Sequence, residues 1–214
     1  MILLPIALFL AQAVAAPLPA VSPATPPTIS AAPAEAPRPV LVRVAMETNA
    51  GPIVLDLDRT HAPITTANFL RYVDQHRLDG VTFYRSVRVA PDFGFVQFGI
   101  QNEPKRILPP IAHEPTTKTG LRHRDGTISI ARLAPGTARG DFTIMVGDQP
   151  SLDADPSKPG DNLGYAAFGQ VVEGMDVIHR ILDAPTDPAK GPFKGEMLAA
   201  PVKILSAKRI AMAK

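Results

Sequence analysis

The sequence predicts a mainly β domain in which short antiparallel strands close into a barrel packed against two helices. Many short segments alternate apolar and polar residues and are separated by loops rich in Gly, Pro and Asp, whereas only two stretches have helical spacing. The 214 residues are 45% hydrophobic and 20% charged, enough for one domain with a sizeable core. Closing such a sheet removes exposed strand edges.

The first two strands are predicted as a β-hairpin. Apolar side chains recur at every second position over residues 40–46, which gives one buried face. Residues 49–51 read Asn-Ala-Gly and form the turn, and residues 53–57 return as the second strand.

Two helices follow from apolar spacing. Pro63 is placed where a first helical turn tolerates proline, and residues 69–73 carry an apolar stripe that ends before Asp79-Gly80. This predicts a helix of about three turns. The second helix is marked at spacings of three and four by Met175, Ile178, Ile181 and Leu182.

The remaining strands are predicted between loops. Their ranges are residues 81–89, 126–131, 142–146, 165–172 and a closing strand at 201–208. No internal repeat is present. The sequence thus predicts seven strand segments and only two helices, and this ratio favours a closed sheet over an α/β arrangement.

The N-terminal residues predict export. Residues 1–15 are an apolar run that ends in Ala13-Val14-Ala15, the A-x-A pattern of a signal-peptide cleavage site, so we expect cleavage after Ala15. The run is shorter than the ~20 residues that span a bilayer, which makes an uncleaved anchor the weaker alternative and stable membrane insertion unexpected. Residues 16–39 are mostly Ala, Pro, Ser and Thr and predict a tether, followed by one domain over 40–210.

The sequence lacks the patterns that identify several kinds of functional site. The net charge is only +2 without a Lys/Arg block, which argues against nucleic-acid binding, and there are no cysteines. The five histidines lack zinc-site spacing, and no P-loop or G-x-S-x-G occurs. The acidic loop 153–161 has Lys158 where an EF-hand needs glycine, so we expect a solvated loop and no metal.

Three ordered segments resemble the cyclophilin family. They read FYRSVRVAPDFGFVQFG at 83–99, GTISIARLAPGTARGDFTIMVGDQPSLD at 126–153 and GYAAFGQVVEGMDVIHRI at 164–181. The resemblance covers roughly residues 40–210 and is nearest to exported, periplasmic bacterial members. It implies a closed eight-stranded antiparallel β-barrel capped by two α-helices. It also implies a monomeric, cofactor-free peptidyl-prolyl cis-trans isomerase acting on proline-containing polypeptides.

The resemblance also implies catalytic roles. Arg85 would donate to the prolyl nitrogen, Gln97 would hold the substrate backbone, and Phe95, preferred to Phe93, would wall the proline pocket. Between Arg85 and Gln97 the chain carries about four residues more than the family pattern. The other implied substrate-binding residues are Phe93, Ala131, Arg132, Leu133, Asp141, Phe142, Thr143, Leu152 and Tyr165.

Departures from the family pattern weaken the predicted pocket. Asp141 stands where glutamine is usual, Thr143 where a second phenylalanine is usual, and Ser151 where an aromatic residue is usual. We expect weaker proline binding and insensitivity to cyclosporin. These departures also motivate the alternative hypothesis of a weakly active or non-catalytic module that binds proline-containing clients.

Each assigned residue has a purely structural alternative. Arg85 could pair with a carboxylate such as Glu114, and Asp141 could pair with Arg132 or Arg139. Gln97 could be a satisfied loop amide, and phenylalanines are core residues by default.

Overall fold

The computed structural model describes residues 38–212. The predicted signal peptide, residues 1–15, and all but the last two residues of the predicted tether lie outside this range. Within residues 38–212, no helix is long and apolar enough to cross a lipid bilayer.

The described residues form a closed antiparallel barrel. Its strands are β1 (Leu41–Thr48), β2 (Gly51–Asp58), β3 (Thr82–Ala90), β4 (Phe93–Gly99), β5 (Thr127–Ile130), β6 (Asp141–Val146), β7 (Ala166–Glu173) and β8 (Met197–Ile210). They close in the order β1-β2-β7-β5-β6-β4-β3-β8. The prediction of a mainly β, eight-stranded barrel is confirmed.

Both predicted helices are present, with two short additions. The helices are α1 (Pro63–Asp74), the one-turn α2 (Thr116–Thr119) and α3 (Met175–Leu182), and a 3-10 turn covers Pro150–Leu152. The two short elements were not predicted, since neither is long enough to show helical periodicity. The backbone N–H groups of Ile64 and Thr65 donate to Glu114 at 3.1 and 2.7 Å, which caps α1 with a buried carboxylate.

Strand β4 was missed by the sequence prediction. Its alternate residues Val96 and Phe98 are fully buried inside the barrel, but Phe95 on the other face is also apolar. Apolar residues on both faces remove the period-two pattern that identifies a half-buried strand.

The additional residues between Arg85 and Gln97 lengthen the β3–β4 hairpin. The turn is made at Pro91-Asp92, where Asp92 has a φ of 51°. The Asp92 carboxylate lies 3.2 Å from Nδ1 of His179 in α3, and Nε of Arg88 lies 3.3 Å from the carboxylate of Asp183 just after α3. The insertion is therefore an extended hairpin packed beside α3.

Aromatic rings fill the barrel interior next to α1. Phe142 packs edge-on against Phe69 at 4.8 Å between ring centroids, and Phe98 and Phe168 complete the cluster. Phe142 has no exposed surface, so its assignment to substrate binding is wrong. Successive residues of a strand point to opposite faces, so Phe142 points inward and Thr143 points outward.

Candidate active site

A groove of about 650 Å³ lies over the outward-facing residues of β3, β4 and β6. Strand register sets its centre: Arg85 of β3 lies opposite Gln97 of β4, which lies opposite Thr143 of β6. The barrel thus aligns one cation, one amide and one hydroxyl in a row across three strands.

The guanidinium of Arg85 is held on three nitrogens. Its Nε donates to Oε2 of Glu196 at 2.7 Å, and its Nη2 lies 2.6 Å from the same oxygen. Its Nη1 donates to Oε1 of Gln97 at 2.9 Å. Arg85 thus does pair with a carboxylate, although the partner is Glu196 and not Glu114, and its side chain still keeps 18% of its surface exposed.

Two aromatic rings flank the same guanidinium. The centre of the guanidinium lies 3.9 Å from the ring centroid of Phe193 and 5.4 Å from that of Phe95. Such contacts attract a cation to the ring face and restrict its orientation. Arg85 is therefore fixed by charge, hydrogen bonds and packing together.

Gln97 is buried at the base of the groove. Its Oε1 accepts the hydrogen bond from Arg85, which orients the amide so that Nε2 is the remaining donor. Nε2 has no hydrogen-bond partner within residues 38–212. The amide can therefore donate to a bound backbone carbonyl.

The apolar part of the groove is formed by Phe95, Met145 and Leu152 around Thr143. Phe95 and Met145 are opposite each other on β4 and β6. Phe93 does not line the groove, because it lies two residues nearer the hairpin turn and its ring packs beside Gly147. Of the two candidate phenylalanines, Phe95 is the one at the groove.

Asp141 places a carboxylate at one end of the groove. It accepts hydrogen bonds from the Tyr84 hydroxyl at 3.0 Å and from the backbone N–H of Gln101 at 3.1 Å. Burial raises the pKa of Asp141, and burial together with the Asp141 charge raises the pKa of Tyr84. Asp141 makes no ion pair with Arg132 or Arg139 within the described range, so that alternative is wrong.

A second wall follows β5. The backbone N–H of Ala131 is bonded to β6, and Leu133 is 95% exposed at the rim. The Arg132 guanidinium binds Asp161 at 2.5 and 2.9 Å and lies 5.3 Å from the Tyr165 ring centroid. The Arg132 hydrogen bond holds the pKa of Asp161 below its usual range. Arg132 thus anchors the loop that carries Tyr165.

The structure brings most of the predicted residues to this one groove. Those lining it are Arg85, Phe95, Gln97, Ala131, Arg132, Leu133, Asp141, Thr143, Leu152 and Tyr165. Groove residues that the sequence prediction missed are Tyr84, Asn102, Thr137, Arg139, Met145 and Phe193. Strand alternation from Thr143 could have found Met145, but no sequence signal joins Phe193 to Arg85, which lies more than one hundred residues earlier. Within residues 38–212, no three His, Asp or Glu side chains cluster as metal ligands.

Comparison with known proteins gives consistent matches. The model of the cyclophilin type peptidyl-prolyl cis-trans isomerase family matches residues 43–209. A peptidyl-prolyl cis-trans isomerase from Streptomyces antibioticus is 38% identical over 168 residues, covering 77% of this chain and 96% of the relative. Isomerase A from Dickeya dadantii is 36% identical over 170 residues, covering 78% and 84%.

Solved structures show the same fold. A cyclophilin from Cryptosporidium parvum, solved in the presence of the dipeptide Ala-Pro, superposes with a TM-score of 0.64 at 19% identity. The match covers 79% of this chain and 99% of that one. The family model and the bacterial relatives show that the chain belongs to the cyclophilin-type peptidyl-prolyl cis-trans isomerases.

Proposed function

We propose that this isomerase accelerates rotation about X-Pro bonds in exported proteins as they fold, and that it acts as a monomer without a cofactor. The observation that supports this most strongly is the Arg85 guanidinium, which is fixed in an open groove and still has N–H groups that can donate to a substrate. Roles for the neighbouring side chains follow from what the reaction requires.

The reaction rotates an amide and breaks no bond. Resonance in the X-Pro amide opposes rotation with a barrier of ~18–20 kcal/mol, so uncatalysed exchange takes tens of seconds or more. In the twisted transition state the resonance is lost and the prolyl nitrogen gains a usable lone pair. A fixed donor at this nitrogen stabilises the transition state more than either ground state.

Arg85 supplies that donor. Each terminal nitrogen of a guanidinium carries two N–H groups, and the contacts to Gln97 and Glu196 occupy one on each. One N–H on each terminal nitrogen therefore remains for substrate. Because the guanidinium is already oriented, little reorganisation is needed when the amide twists.

The remaining groove residues hold the substrate still. The free amide nitrogen of Gln97 donates to a backbone carbonyl, and the proline ring lies against Phe95, Met145 and Leu152. An acceleration of ~10⁵ requires about 7 kcal/mol, and one charge-assisted hydrogen bond contributes only ~1.5–3 kcal/mol. The other groove contacts must supply the rest by binding the twisted amide more tightly than the planar one.

A protease-coupled assay on an Ala-Pro-Phe peptide tests this assignment. Arg85→Ala should lower kcat/KM about 10- to 100-fold, the equivalent of one charge-assisted hydrogen bond. Arg88→Ala is the matched control, because Arg88 lies on the same strand but pairs with Asp183 outside the groove. Equal activity of the Arg85→Ala and Arg88→Ala enzymes would contradict the role of Arg85.

The exported location rests on the sequence of residues 1–39. We expect the mature periplasmic protein to begin at Ala16 and to carry residues 16–39 as a tether for the isomerase domain. N-terminal sequencing of the protein from a periplasmic fraction would check this, with the mass by light scattering expected to equal one chain. Recovery only from the cytoplasm, with residues 1–15 retained, would contradict export.

A further inference from the structure

We propose that Glu196, supported by Phe193, is a positioning residue that fixes the Arg85 guanidinium for catalysis. Both residues belong to the connection between α3 and β8 and come from outside the strands that form the groove floor. This inference rests on the proposed role of Arg85 as the donor to the prolyl nitrogen.

The backbone places Glu196 beside Arg85. The N–H of Ser86, the residue after Arg85, donates to the carbonyl of Glu196 at 2.8 Å. Met197, the residue after Glu196, is the cross-strand partner of Arg85. The Ser86 hydroxyl also donates to the carbonyl of Leu182 at 2.7 Å, which ties the start of the connection to the same strand. Main-chain pairing thus places residue 196 next to Arg85.

A tight turn brings Phe193 to the same guanidinium. The N–H of Glu196 donates to the carbonyl of Phe193 at 3.1 Å, closing a four-residue turn. Gly195 at the third position has a φ of 80°, as a type II turn requires. One turn therefore delivers a carboxylate to the edge of the guanidinium and an aromatic ring to its face.

The three contacts leave the guanidinium little freedom. Glu196 holds Nε and Nη2, and Gln97 holds Nη1, so rotation about the Nε–Cζ bond would break two of these contacts. Stacking on Phe193 at 3.9 Å opposes tilting of the plane. Donors aimed in advance at the transition state are more effective than donors that must reorient. Glu196 therefore acts on the reaction through Arg85.

A double-mutant cycle measured on the full-length mature protein tests the proposal. Glu196→Ala should lower kcat/KM about tenfold in the native background and by less than twofold in the Arg85→Ala background. Glu196→Gln keeps an oxygen that accepts from Arg85 and should stay within about threefold of the native enzyme. Lys194→Ala is the matched control, since Lys194 is exposed in the same turn and is not among the residues that hold the Arg85 guanidinium.

NMR of the Arg85 side chain supplies a readout that a purely structural role would not change. In the native protein, Nη1 and Nη2 should give separate signals because rotation about Nε–Cζ is slow. In the Glu196→Ala protein, they should exchange rapidly, while Lys194→Ala should leave them separate. Unchanged slow rotation in folded Glu196→Ala protein would overturn the proposal.

The outcomes separate this inference from the proposed function. If Arg85→Ala is strongly impaired but Glu196→Ala and Glu196→Gln are fully active, the positioning role is wrong and the role of Arg85 stands. If Glu196→Ala costs the same factor with and without Arg85, its effect does not pass through Arg85. If Arg85→Ala is fully active, the proposed function and this inference both fail.

Discussion

Two polar clusters of this molecule have very different access to substrate. The first is the groove cluster of Arg85, Gln97 and Glu196. The second is buried: Nδ1 of His123 lies 2.7 Å from Asp153, and Nε2 lies 3.0 Å from the Ser129 hydroxyl. In residue types and order of contacts, this second cluster resembles the serine, histidine and acid of a hydrolase.

Burial separates the two clusters in function. Ser129 has no exposed surface, and its hydroxyl donates a hydrogen bond to the carbonyl oxygen of Ala166 at 3.1 Å. No substrate carbonyl can reach that oxygen. Arg85, by comparison, borders an open groove and has unused donors. A set of residue types defines a reactive site only where a substrate can reach it.

The buried cluster instead holds three segments together. His123 precedes β5, Ser129 lies within β5, and Asp153 follows the 3-10 turn. The backbone N–H of His123 also donates to Asp153 at 3.0 Å. This cluster therefore stabilises the fold beneath one wall of the groove, whereas the groove cluster serves the reaction.

The largest expected effect comes from the buried cluster. His123→Ala removes the imidazole that contacts Asp153 and Ser129 and creates a cavity, so the free energy of unfolding should fall by about 3 kcal/mol. Urea unfolding monitored by circular dichroism measures this. The exposed pair of His76 with Asp79 offers the control, and His76→Ala should cost less than about 0.5 kcal/mol.

Activity measurements sharpen the same contrast. The folded fraction of the His123→Ala protein should keep kcat/KM within about threefold of the native value, because no atom of His123 lines the groove. A variant that is as stable as the native protein but inactive would place His123 in the reaction and remove the distinction between the clusters.

A smaller effect is expected at Thr143, where the groove lacks an aromatic wall. Thr143→Phe should add apolar contact beside Phe95 and tighten binding of a proline peptide by about 2- to 10-fold, as expected for ~0.5–1.5 kcal/mol of aromatic contact. An NMR titration measures the affinity. Thr117→Phe, on the exposed side of α2, is the control for an added surface ring, and equal affinities for the two variants would contradict the assigned pocket.

The smallest expected effect concerns Asp141 and pH. Burial raises the pKa of Asp141 above its ordinary 3.8, so the folded protein binds this proton more tightly than the unfolded chain does. Protonated Asp141 therefore favours the folded state. This contribution to the free energy of unfolding is fully present below the ordinary pKa of Asp141 and is lost as the pH rises through its pKa in the folded protein. Asp141→Asn should therefore be more stable than the native protein at neutral pH. The difference between their free energies of unfolding, the stability gap, should narrow on acidification.

Unfolding midpoints of both proteins between neutral pH and about pH 4 check this prediction. Asn still offers an oxygen to the Tyr84 hydroxyl and the Gln101 N–H, so the difference reports charge and not lost hydrogen bonds. A gap that widens on acidification would contradict the direction of the pKa shift.

Most of the barrel could be predicted because periodicity and turn residues report strands locally. Strand β4 was missed because Phe95, which lines the groove, makes the outer face of the strand apolar as well. Phe142 was included among the substrate-binding residues because it adjoins Thr143, although neighbouring residues of a strand point to opposite faces. Both errors concern which face of the sheet a side chain lies on, and one short segment of sequence does not determine this.

Partners distant in sequence could not be predicted. Glu196 reaches Arg85 only through the path of the α3–β8 connection. The loop 153–161 was expected to be solvated, and this is wrong for Asp153, which is buried against His123. Both cases pair polar side chains that only the tertiary structure brings together, and local composition carries no signal for such pairs.

The central claim is that Arg85 acts on the twisted amide and not on binding. NMR exchange spectroscopy of an Ala-Pro-Phe peptide, with the native or the Arg85→Ala protein in catalytic amount, measures the cis-trans rate and the affinity in one sample. We expect the Arg85→Ala protein to bind the peptide within about threefold of native affinity while accelerating exchange about 10- to 100-fold less. Native exchange rates in the Arg85→Ala sample, or loss of rate only in proportion to lost binding, would contradict the claim.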